Sequence, residues 1–256
     1  AMIDYNPKAW ASLISHSYSR HVMRTLRPVL LFMGGYSLVF CYLILDVFRL
    51  NEKDFHSTIS MHQLLGIVLG LFLVFRTNSA YDRWWEGRKL WGSLVNNTRN
   101  LAHKLNAMLP ANDQENRLYF SAMISNLVVA IREHLRNNAR WSDLEPTGEQ
   151  FGDHFVNVTH VPNRVSSMLY ERVNRLYDQK IISGEQLIML DRELKEFSDV
   201  LGACERIKNT PIPYSYSMYI KKFIFIFIIT LPFGFVTQLE YITVPVVVLV
   251  SYILLS

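Results

Sequence analysis

The chain has only two cysteines. Cys41 sits inside an apolar run and Cys204 in a helical pattern, contexts that supply neither a disulfide framework nor a zinc spacing, so both are expected to be packed thiols. Charge is scarce as well: 19% of residues are charged, 50% are hydrophobic and 13% aromatic. A soluble domain carries about 25% charged residues, so this balance points to lipid. The net charge of +4 and pI near 9.0 come without a clustered basic face away from the apolar segments, which argues against nucleic acid as a partner. Enzyme signatures are missing too, with no HExxH, P-loop, Gly-rich dinucleotide turn or GxSxG elbow. Neither an enzyme nor a cofactor is expected. The histidines are scattered, and the pair His154 and His160 is spaced so that the two rings do not share one helix face. No metal site is expected from that pattern. Strand-like alternation and internal repeats are absent, and the residues after Ala1-Met2, read as a cloning remnant, contain no apolar secretion signal.

Long uncharged runs are what the chain does have. No charge falls between Pro28 and Leu45, between Ile59 and Phe75 with His62 taken as neutral, or between Phe223 and Leu239. A fourth run, Tyr241 to Ser256, follows Glu240. As helices the first three rise about 26 Å, slightly short of a ~30 Å hydrocarbon core, with Arg27, Arg49 and Arg76 placed to snorkel. Lys8, Arg20, Arg24 and Arg27 precede the first run; Arg76, Arg83, Arg88 and Lys89 follow the second; Arg206, Lys208, Lys221 and Lys222 precede the third. Basic flanks resist translocation, so both termini and the long middle region are expected on the cytoplasmic side of the membrane. The plan is a cytoplasmic segment over 1–27, transmembrane helices 1 and 2 over 28–75, a helical cytoplasmic domain over 76–222, and transmembrane helices 3 and 4 over 223–256.

In the middle region apolar residues step at helical spacing. Leu94, Thr98, Leu101, Leu105 and Met108 form one series. Val165, Met168, Leu169, Val173 and Leu176 form a second, and Leu187 to Cys204 a third. Pro110-Ala-Asn-Asp113 ends one helix and caps the next, Pro146-Thr-Gly148 and Val161-Pro162-Asn163 punctuate further on, and Ser183 is an N-cap.

In the second run Gln63, Ile67, Leu71 and Phe75 recur every four residues, a single stripe on a helix, with Gly66 and Gly70 as a small-residue pair on an adjoining face. Such spacing suits lipid-facing or core packing. It equally suits a stripe facing a pore, whose apolar rings gate by dewetting.

Leu65-Gly-Ile-Val-Leu-Gly-Leu-Phe-Leu-Val-Phe-Arg76, the triplet Arg83-Trp84-Trp85, Leu201-Gly-Ala-Cys-Glu205-Arg206 and Thr210-Pro211-Ile-Pro213 together resemble the bestrophin family of ion channels, in its bacterial branch. The resemblance implies an all-α membrane protein, with four transmembrane helices and a helical cytoplasmic domain per chain, assembled as a homopentamer around one axial pore. It places an apolar neck on Ile67, Leu71 and Phe75, and a cytosolic aperture on Glu185, where the family usually has an aliphatic residue. Gly66, Gly70, Arg83, Trp84, Trp85, Glu205, Arg206, Pro211 and Pro213 carry the family pattern as structural residues. Glu185 has two readings: a ring of carboxylates on the permeation path, or a first-turn acid that favours the helix N-terminus and touches no ion. Membrane lipid and permeant monovalent ions are the implied partners. The wider family passes chloride and other anions, and part of the bacterial branch passes monovalent cations. The alternatives are a secondary transporter, or a membrane-tethered interaction module without conductance.

Overall fold

The computed structural model describes residues 17–50, 52–138, 140–148 and 151–256. Of the segment expected over 1–27, residues 1–16 lie outside the described residues. Among the described residues seven α-helices carry the fold: α1 (Ser17–Tyr42), α2 (Glu52–Met108), α3 (Gln114–Leu135), α4 (Val161–Asp178), α5 (Gly184–Asn209), α6 (Tyr214–Leu239) and α7 (Thr243–Leu255). A π-helical turn, Leu43–Val47, extends α1. No strand occurs among the described residues.

Helix α2 is a single run of 57 residues, about 85 Å long at the α-helical rise. No proline falls between Pro28 and Pro110, so the commonest cause of a kink is absent along its whole length. The chain divides into two compact units, one running to Thr77 and resuming at Ile212, the other Asn78–Pro211.

In the first unit α7 packs on α1 and returns along α6, so that Leu254 and Leu255 join Met33, Leu69, Ile220 and Ile228 in one apolar cluster. Ile220 lies in the 76–222 stretch expected to be cytoplasmic; here it is fully buried among these membrane-class side chains. Three helical stretches of the described residues are long and apolar enough to cross a membrane: His21–Val47, Ile59–Met108 and Tyr214–Leu255. The last contains both α6 and α7, folded on each other through the short turn Glu240–Ile242. His62 is buried here, its ring stacked on Phe227 with centroids 4.5 Å apart. A Cβ on Gly234 would lie 2.9 Å from the His62 ring, so this glycine makes the room that the imidazole fills.

The second unit has a continuous apolar core. Leu94, Leu101 and Leu105 of α2 pack with Phe120, Met123 and Leu127 of α3, Val165 and Leu169 of α4, and Leu190, Leu194 and Phe197 of α5. Local chemistry fixes where these helices begin. The Asp113 carboxylate accepts the Asn116 N–H at 3.2 Å and starts α3. Ser183 and Gln186 form a reciprocal capping box at α5, which satisfies two otherwise orphaned donors. His160 caps α4, and Val161-Pro162-Asn163, expected as punctuation, is that helix's first turn, where a proline costs no hydrogen bond.

Candidate functional site

The expected neck residues share one face of α2 and are exposed in the single chain: Ile67 by 73%, Leu71 by 53% and Phe75 by 52%. Leu64 and Val74 extend the same exposed apolar face. The other side of the helix carries His62, Leu69 and Phe72, which pack on α6 and its neighbours. Only 11% of the most apolar stretch of α2 is buried within the chain, against 28% for the His21–Val47 segment and 39% for Tyr214–Leu255. Of the paired glycines, Gly66 faces the Phe227 ring at an ordinary contact distance of 3.6 Å, and Gly70 has nothing within 4 Å. The tightest glycine contact among the described residues of this unit is against the His62 ring, at Gly234, which periodicity did not single out.

Glu185 stands in the first turn of α5 and is exposed. The Ser183 hydroxyl donates to its carboxylate at 2.6 Å. That bond, with the residue's own backbone N–H, holds the carboxyl below its ordinary range. One turn on, Ile188 is 72% exposed. Sequence reading passed over Ile188, although an apolar residue out of register with the buried series Leu190, Leu194 and Phe197 was a signal available in the spacing.

Of the remaining family-pattern residues, Arg83 reaches the C-terminal end of α5, on which Glu205 and Arg206 lie. The Arg83 guanidinium donates to the Ile207 carbonyl at 2.6 Å and also to the Thr210 carbonyl, satisfying carbonyls that a helix end leaves orphaned. Arg206 pairs with Glu86 of α2. Pro211 follows α5, and Pro213, at φ −49°, is the N-cap residue of α6. Trp84 and Trp85 keep about half of their surface and cluster with Tyr81, ring centroids 5.7 and 6.4 Å away. Glu205 accepts from Nε2 of His134 at 2.7 Å and of His160 at 2.9 Å. Partial burial raises the Glu205 carboxyl, but the two histidine hydrogen bonds outweigh it and hold the group below its ordinary range. The pair singled out from spacing was His154 and His160; the pair the fold brings together is His134 and His160. Sequence separation hid it.

An apolar stripe without charge has no catalytic chemistry, but repeated around an axis it makes rings that exclude water until widened. The family model described as Bacterial/Fungal Bestrophin protein matches residues 2–256. The chain is 39% identical over 195 residues to a voltage-dependent anion channel-forming protein of Nostoc sp., covering 74% of this chain and 63% of that protein. It is 35% identical over 194 residues to a protein of the same description from Synechocystis sp., covering 73% and 62%. The chain thus spans less than two thirds of the length of these relatives. Among solved structures, a tryptophan-to-alanine mutant of a bacterial bestrophin homologue from Klebsiella pneumoniae superposes with a TM-score of 0.78 at 26% identity, over 91% of this chain and 84% of that one.

Proposed function

This chain belongs to the bacterial and fungal bestrophin family, and from that membership we propose that it assembles into a homo-oligomeric ion channel, a pentamer with one axial pore. Small monovalent ions pass through it passively. The observation that carries this reading is the exposed stripe of Ile67, Leu71 and Phe75 on the least buried of the apolar segments. One chain cannot enclose a pore with a single stripe; several copies around an axis turn it into stacked apolar rings. In this reading α1, the first part of α2, α6 and α7 are four spans in a bacterial inner membrane, with both termini and the unit Asn78–Pro211 on the cytoplasmic side. Gly66 and Gly70 then lie where neighbouring helices of the assembly approach, and Arg83, Glu205 and Arg206 hold the end of α5.

Anion conduction follows the names of the relatives from Nostoc and Synechocystis. One observation favours the cation reading instead: Glu185, exposed and held ionised by its hydrogen bonds, gives a cytosolic aperture negative charge, with Ile188 as its apolar neighbour. Reversal potentials of purified protein in planar bilayers under a potassium chloride gradient test both levels. Channel currents support the assembly, and the sign of the potential names the ion. A cation preference that weakens in Glu185→Gln and inverts in Glu185→Lys places this residue on the path. No current at all supports a membrane-tethered module, and saturable substrate-coupled flux without channel currents supports a transporter.

A further inference from the structure

We propose that His134, His160 and Glu205 form a binding site for a divalent transition metal of the zinc class, within the unit Asn78–Pro211. The site uses none of the residues assigned to the permeation path. Its three side chains come from three elements: His134 from the last turn of α3, His160 from the cap of α4, and Glu205 from α5. Both Nε2 atoms address the same carboxylate oxygen, at 2.7 and 2.9 Å, and the imidazole centroids are 4.2 Å apart. The three ligand atoms all lie within 4.8 Å of one another. A tetrahedral zinc ion, with bonds to nitrogen and oxygen of about 2.0–2.1 Å, separates its ligand atoms by roughly 3.3 Å. The two N···O separations must open by roughly half an ångström, and the widest separation close from at most 4.8 Å, for the ion to enter.

The donor set decides the class of ion. Two imidazoles and one carboxylate suit zinc and its neighbours, whereas calcium and magnesium take oxygen ligands. Exposure of 24% for His134, 30% for His160 and 29% for Glu205 gives the ion a route from water and leaves a fourth position for a water ligand. Buried Ile131, Val161, Leu201 and Cys204 lie on the same three elements, so the packed core fixes the backbone that presents the ligands.

The His160 tautomer sets the competition at this site. Its Nδ1 accepts the Asn163 N–H at 3.2 Å, so in this geometry Nε2 carries the ring proton and donates it to Glu205. A metal takes the Nε2 lone pair only after that proton leaves. Nδ1 then takes up a proton, with no net release from the neutral ring, and the hydrogen bond to Asn163 is surrendered. The metal thus competes with both the Glu205 hydrogen bond and the α4 cap.

The full chain, purified without a histidine tag, stripped with a chelator and titrated with zinc chloride alone, tests the site. One ion per chain is expected, with a zinc-dependent rise in Tm, and cobalt chloride in place of zinc should give the visible absorption of a tetrahedral site. His160→Asn removes a ligand and keeps an N-capping side chain; His134→Gln removes the other imidazole. Each should weaken zinc binding by at least about 100-fold, beyond what loss of a supporting partner gives, and abolish the tetrahedral cobalt spectrum. If either variant fails to fold, the other variant and the parent's cobalt spectrum decide. Absence of saturable zinc binding in the parent, or binding unchanged in a folded variant, overturns the proposal and leaves the triad as a hydrogen-bonded brace.

Discussion

In the unit Asn78–Pro211, Leu101, Met123, Leu169 and Leu190 have no accessible surface, and the buried carboxylate of Glu193 has the Lys104 ammonium at 2.6 Å. In the unit that runs to Thr77 and resumes at Ile212, Leu31, Phe32 and Ile67 keep 68%, 66% and 73% of their surface. The unit Asn78–Pro211 closes its core within one chain. The other unit leaves apolar surface uncovered, each Å² of which costs roughly 25 cal/mol in water, as expected of membrane-spanning segments. Helix α2 runs through both: beyond Asn78 it gives Leu94, Leu101 and Leu105 to the closed core, and before it the apolar face of Ile67, Leu71 and Phe75 stays exposed.

The comparison breaks most easily in the closed core. Phe197→Ala should cost about 3–5 kcal/mol of unfolding free energy, whereas Ile67→Ala should change it by under about 0.5 kcal/mol. Denaturant titration of detergent-solubilised protein checks both, and similar costs would erase the contrast. Next comes Arg83→Ala, which leaves the Ile207 and Thr210 carbonyls at the end of α5 without their charged donor. A loss of about 1.5–3 kcal/mol is expected. Arg83→Lys should recover less than half of it, because an ammonium lacks the fork that reaches two acceptors. Asp113→Ala, which removes the α3 cap, should cost about 0.5–2 kcal/mol and Asp113→Asn much less, again by denaturant titration.

The smallest effect is the pH dependence at Glu185. Its folded-state pKa lies below the ordinary 4.5, so its contribution to stability is complete above that value and is lost as pH falls through the lowered one. The Tm difference between the parent and Glu185→Gln should therefore favour the parent near neutrality and vanish in acid. A difference independent of pH would mean that the carboxylate charge adds nothing at this helix start.

Much of the fold is legible in local pattern. The uncharged runs, the stepped leucines of the middle region and the caps at Asp113 and Ser183 depend on residues within a few positions of one another, and spacing reports such relations directly. The shared face of Ile67, Leu71 and Phe75 is of that kind; its exposure in the single chain comes from the structure. Partners far apart in sequence are not legible in this way. Arg83 finds its carbonyls more than a hundred residues downstream, and His134 and His160 meet only because three helices converge on Glu205. The role of Gly234 is equally hidden, since it depends on the His62 ring of a different helix. The unbroken length of α2 was within reach, as the proline-free interval shows, but the change from apolar to charged surface at residue 76 marks the passage between the two compact units and gives no sign that the helix continues through it.

The central claim is that the bare face of α2 lines a pore. Ionic current through parent protein and the combined Ile67→Ala, Leu71→Ala, Phe75→Ala variant, reconstituted at equal protein-to-lipid ratio, tests it most directly. Removing apolar bulk from a hydrophobic constriction lets water and ions through more readily, so the variant is predicted to carry the larger current per protein. A variant that folds, assembles and conducts no more than the parent would contradict the assignment and return the stripe to lipid or subunit packing.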